Sequence, residues 1–134
     1  KIIDQVFRGQ AYSFPSTLYV GLHTTAPSDT GGGTEVSGGS YARASVSASL
    51  ANFAGTQGAG TTTASSGNTG TTSNNASITF PTPSGSWGAV SAFGIFDSAS
   101  GGNLLFWGAL TISKTINQSD TVTFPSGTLS ITFA

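Results

Sequence analysis

His23 is the single histidine of this 134-residue chain, and in the absence of cysteine it is the side chain best suited to act as a general base near neutral pH. Catalysis through it would require a nucleophile held within hydrogen-bond reach, and none of the many serines lies in an elbow of the Gly-x-Ser-x-Gly kind. A structural or loop-anchoring histidine is the simpler reading. The five carboxylates, Asp4, Asp29, Glu35, Asp97 and Asp120, are scattered along the chain. A glycosidase would have to bring two of them to about 5 to 10 Å from distant loops, and a calcium site would need an acidic cluster that does not occur. Asp29 and Asp97 stand in Gly/Ser turns, where capping of nearby backbone amides accounts for them. Gly31-Gly32-Gly33 is followed by neither a lysine nor a helical pattern, so it does not read as a phosphate cradle. The expectation is a non-enzyme with no catalytic, metal or cofactor site.

Two constellations remain. Trp87 and Trp107, with Tyr12, Tyr19 and Tyr41, could offer aromatic faces to a sugar. Trp107 belongs to the apolar run Leu104-Leu105-Phe106-Trp107 and reads as core, which leaves Trp87, between Ser86 and Gly88, as the candidate for glycan stacking. Arg43 follows Tyr41 on the same strand face and can pair with Glu35 across the intervening loop. Glu35, Tyr41 and Arg43 are therefore candidates for shaping that loop or for a subunit contact.

The elements that must position these residues are short. Ile2, Ile3, Val6 and Phe7 form an apolar stripe at helical spacing, with Gly9 as the C-terminal cap of a helix over residues 1–9. Six or seven residues cannot hold a helix alone, so Ile3, Val6 and Phe7 should pack on the domain or on a neighbouring subunit. Thr17 to His23 alternates as a half-buried strand, with Leu18, Val20 and Leu22 on one face and Tyr19 and His23 on the other. Further strands are expected at Tyr41–Leu50, Ala76–Phe80, Val90–Phe96, Asn103–Leu110, Thr121–Phe124 and Thr128–Phe133, with Asp97 to Gly102 as a hairpin connection. From Gly55 to Asn75 there is no large apolar side chain, so this stretch should be a mobile loop or an arm ordered by a neighbour. The pattern predicts one all-β domain over residues 1–134: an antiparallel β-sandwich or barrel of six to eight short strands with a short N-terminal helix and a long Gly/Ser/Thr-rich loop.

Four Lys and Arg against five Asp and Glu leave a net charge of −1, which attracts neither nucleic acid nor anionic membrane. No apolar run approaches the roughly 20 residues that span a bilayer, and Lys1 to Phe7 lacks the long apolar stretch of a signal peptide. A Ser/Thr/Gly/Asn surface with so little charge has weak colloidal repulsion, which points to life within an assembly.

Leu18-Tyr19-Val20-Gly21-Leu22-His23-Thr24, the block Thr34-Glu35-Val36-Ser37-Gly38-Gly39 with Tyr41-Ala42-Arg43, Ser86-Trp87-Gly88, Gly94-Ile95-Phe96-Asp97 and Gly101 to Gly108 resemble a family of small tailed-phage virion proteins. The resemblance spans nearly the whole chain. Members are variously described as tail-fibre-like, head-decoration or structural proteins, and the family has no catalytic motif to carry over. It implies a virion component assembled in the bacterial host cytoplasm. The leading expectation is a capsid decoration or cement protein, forming a homo-oligomer such as a trimer and contacting the major capsid protein or other virion proteins. A tail, collar or fibre-base component is the alternative, and a carbohydrate-binding surface module is the alternative of another class.

Overall fold

The computed structural model describes residues 2–133; Lys1, Ala134 and the side chain of Ile2 lie outside the described residues. The helix α1 covers Ile2–Phe7, and nine strands follow: β1 Thr17–Thr25, β2 Thr34–Glu35, β3 Ala44–Ser47, β4 Thr71–Ser73, β5 Ile78–Thr79, β6 Gly88–Phe96, β7 Leu104–Ile116, β8 Thr123–Phe124 and β9 Ser130–Thr132. The fold is all-β and antiparallel, as the alternation predicts. The sheet is open and does not close into a barrel.

Its main layer has the order β2-β1-β6-β7, with β3 also on β1. Strands β2 and β3 divide one edge of β1 between them: β3 pairs with Thr17 to Val20 and β2 with His23 and Thr25. Strands β1 and β6 lie in register, Val20 opposite Ile95 and Gly21 opposite Gly94. Two small ribbons, β4 with β9 and β5 with β8, form the second layer. Period-2 alternation sends Val20, Leu22 and Ile95 to the face these ribbons cover, where they meet Ile78, Phe80, Trp87, Ile116 and Leu129 in one core. Phe93 and Phe124 touch edge to face across the layers, at 5.9 Å between centroids.

Three differences from the sequence reading have physical causes. The strand expected over Tyr41 to Leu50 is only β3, because Gly38, Gly39 and Ser40 all take positive φ. That turn aims Tyr41 and Arg43 at the sheet and leaves them outside a ladder. β7 runs past Leu110 to Ile116 as an edge strand with a large bulge. Val90 faces Lys114 and Ala92 faces Ala109, so Leu110 to Ser113 stand opposite Ser91 alone. Residues 55–75, expected as a loop or arm, end in β4 and then in Asn74, which is 1% exposed. The remainder folds on itself through hydroxyl and amide hydrogen bonds, such as Thr56 Oγ1 to the Gly67 carbonyl and Thr69 Oγ1 to the Thr56 carbonyl.

Candidate functional site

On the sheet face away from the core, Gly21 and Gly94 form a cross-strand pair and leave a depression. A Cβ on Gly21 would lie 2.8 Å from Glu35 Oε1 and 3.2 Å from the Tyr41 hydroxyl, so the missing side chain is what lets this carboxylate approach the backbone. Glu35 and Arg43 form a two-pronged ion pair, Nε to Oε1 and one terminal nitrogen to Oε2, both at 2.8 Å. The Tyr41 hydroxyl donates to Glu35 Oε1 at 2.8 Å and accepts the Leu22 amide at 2.9 Å. It thereby fills the gap between β2 and β3 on the β1 edge. The other terminal nitrogen of Arg43 donates to the carbonyls of Ser98 and Gly101, at 2.7 and 2.9 Å, and so grips the β6–β7 hairpin. Its guanidinium lies 3.4 Å above the Phe96 ring centroid. Arg43 thus binds the loop, the sheet and the hairpin together, with its side chain 6% exposed.

The electrostatics follow from that geometry. Burial pushes the Glu35 carboxyl up, but the hydrogen bonds from Arg43 and Tyr41 and the Arg43 charge outweigh it and hold the group below its usual value. Burial pushes the Tyr41 hydroxyl far above its usual value, and its bond to the Glu35 carboxylate adds to the effect. His23 lies beside them, stacked on Phe96 at 5.9 Å and 16°. Burial lowers its pKa, Glu35 opposes the shift and Arg43 adds to it. Its Nδ1 is buried without a hydrogen-bond partner among the described residues. The contacts of Glu35, Tyr41 and Arg43 hold the loop, the sheet and the hairpin together.

The turn aspartates divide. Asp97 accepts the Asn103 amide and side chain at 2.7 Å and closes the hairpin, and these bonds hold its carboxyl below the usual range. Asp120 accepts the Asn117 amide. Asp29 instead accepts the Trp107 indole N–H at 3.3 Å. The tryptophans reverse their expected places. Trp87, the candidate for sugar stacking, is 4% exposed, packs edge-on against Tyr41 and Phe80, and donates its indole N–H to the Gly39 carbonyl at 2.9 Å. Its ring has no face free for a ligand. Trp107, expected in the core, is 38% exposed because β7 is the edge strand and Trp107 sits opposite Gly94, on the face away from the core.

Among the described residues, α1 packs on none of the strands. Ile3, Val6 and Phe7 are exposed, as is Phe14. Gly9, at φ 63°, ends α1, and the chain folds back so that Gln5 Oε1 accepts the Tyr12 amide at 2.6 Å. At the opposite end of the fold's polar economy stands Asn74, which sequence reasoning missed. Its Nδ2 reaches the carbonyls of Ala76, Phe124 and Pro125, and its Oδ1 accepts the Leu129 amide. One asparagine in a Ser/Thr/Asn tract gives no signal of that role; only the return of residues 124–129 to it creates the role.

A family model described as Podophage GP4 fiber I protein gp80 matches residues 1–132. No curated protein matches the chain.

Proposed function

We propose that this chain, which belongs to the Podophage GP4 fiber I protein gp80 family, is a non-enzymatic building block of a phage fibre. Family membership makes it a phage virion structural protein; the fibre is the finer assignment, and the family's description, matched over nearly the whole chain, is the observation that carries it. Its partners are further copies of itself and other virion proteins. The chemistry of the chain is consistent with such a role. The Glu35–Arg43 pair, Asp97 and His23 serve internal packing, while apolar side chains at the N-terminus stand free of the domain. No helix among the described residues is long and apolar enough to cross a membrane.

Gold-labelled antibody against the chain, applied to intact particles, tests the assignment together with a count of copies per particle by mass spectrometry. Label confined to the tail, with few copies, is the expected result. Label over the whole head at the stoichiometry of the shell lattice would replace the fibre by capsid decoration, the role first expected from the sequence.

A further inference from the structure

We propose that the N-terminal segment of one copy docks in an apolar cleft of a second copy, so that the fibre is built by arm exchange; this rests on the reading that the chain works as a multi-copy fibre component. The cleft lies where the β7 bulge and the return loop to β8 part, has a volume of about 570 Å³, and is lined by Leu110, Ile112, Val122 and Phe124 with Lys114 and Asp120. Space of that order takes several apolar side chains. The segment offers them: Ile3, Val6 and Phe7 share one side of α1, and they are 68%, 63% and 81% exposed. A six-residue helix has no stability of its own, and this one contacts none of the strands, so it needs a surface elsewhere.

Charge selects the cleft as that surface. Among the charged side chains of the described residues, Glu35 and Arg43 bind each other, Asp97 closes a turn and Asp29 holds Trp107. The remaining four are Asp4 and Arg8, which form an exposed ion pair with each other at 2.6 Å on the segment, and Lys114 and Asp120 at the cleft, where Asp120 also accepts the Asn117 amide. An exposed i,i+4 pair contributes little by itself, so on docking Asp4 and Arg8 exchange partners with Lys114 and Asp120, which sets direction and register while the apolar contacts supply the affinity. The two surfaces are different, so copies add head to tail unless they exchange arms in reciprocal pairs.

The chain has no cysteine, which makes cross-linking clean. Phe7→Cys and Ile112→Cys, prepared separately and mixed, are expected to give a disulfide-linked dimer, whereas Phe7→Cys mixed with Ser100→Cys, on the exposed hairpin turn, gives none. Phe7 on the segment and Ile112 in the cleft are both solvent-facing, so folding is not at stake. If a chain carrying both Phe7→Cys and Ile112→Cys cross-links only within itself, the segment fills its own cleft and the proposal is overturned; absence of any cross-link overturns it as well. In sedimentation, Phe7→Ser should weaken self-association by about a hundredfold. Lys114→Glu should weaken it by about fivefold, and adding Asp4→Lys should restore it. Wild-type chain that remains a single-copy species at every concentration contradicts the proposal. These readings use purified chain, so their failure leaves the location on the particle untouched.

Discussion

Two stretches of this chain, 31–43 and 55–70, are both rich in glycine and small polar residues, yet different physics holds them. The first is bound to the sheet by a carboxylate, a phenol and a guanidinium, all converging on a depression that two glycines create. The second is closed by hydroxyls and amides bonding to nearby backbone, with most of its residues facing water. A half-buried charged network cannot lose one member without leaving another charge unpaired and partly shielded from water. Exposed hydroxyl bonds exchange for water at small net cost. Similar composition therefore yields one loop that is part of the fold and one that is only attached to it.

That contrast sets an order of sensitivities. Arg43→Ala strands the Glu35 carboxylate and two hairpin carbonyls, and urea unfolding should show a loss of about 4 kcal/mol. Replacing both partners, Glu35→Leu with Arg43→Met, should cost less than Arg43→Met alone; a larger cost would mean that the pair is not the source of the effect. Asn74→Ala, at the post where the second stretch rejoins the core, orphans three carbonyls and an amide, and should cost about 3 kcal/mol in the same assay.

Acid should loosen the first stretch before the second, and the sign follows from the shifts. His23 is depressed below its ordinary 6.5, so the unfolded chain takes up a proton first, and stability falls as pH drops below about 6.5. Glu35 is also depressed, so its contribution is present above its ordinary 4.5 and is lost as pH falls further. Stability should be flat from neutrality to about pH 9, should fall above the ordinary tyrosine value of 10.0, where the unfolded chain loses the Tyr41 proton first, and should decline in two stages on acidification. His23→Phe should remove the upper stage, and a wild-type profile flat down to pH 5 would show that the histidine is not held neutral by burial.

The second stretch should respond least. Thr61→Ala removes a hydroxyl that accepts the Gly55 amide and donates to the Gly58 carbonyl, for about 1 kcal/mol. Ser65→Ala, whose hydroxyl accepts one exposed amide at 3.3 Å, should stay within about 0.5 kcal/mol. A loss at Ser65 comparable to that at Arg43 would erase the distinction between the two stretches.

Alternation placed β1, β6 and the C-terminal strand near where they lie, because a half-buried strand must send every second side chain to the core. The β6–β7 connection was legible in Asp97 and its following Ser/Gly run for the same local reason. Glu35, Tyr41 and Arg43 could be grouped by spacing, and the structure brings all three together. Their target could not be read, since Phe96 and the depression at Gly21 and Gly94 belong to strands 50 or more residues further on or on either side of the loop. The tryptophans were misplaced because local apolar density does not tell a central strand from an edge.

Composition and short-range pattern by themselves determined a charge-poor, all-β chain with a helical start, a hairpin and glycine-rich loops, since each of these follows from steric and solvation preferences of neighbouring residues. Tertiary structure alone decided which loop is bolted to the sheet, which tryptophan is buried, that Asn74 is a hub, and that β7 bulges to open an apolar cleft. Those outcomes depend on which strand becomes an edge and on contacts between residues distant in sequence, and neither is encoded in any local window.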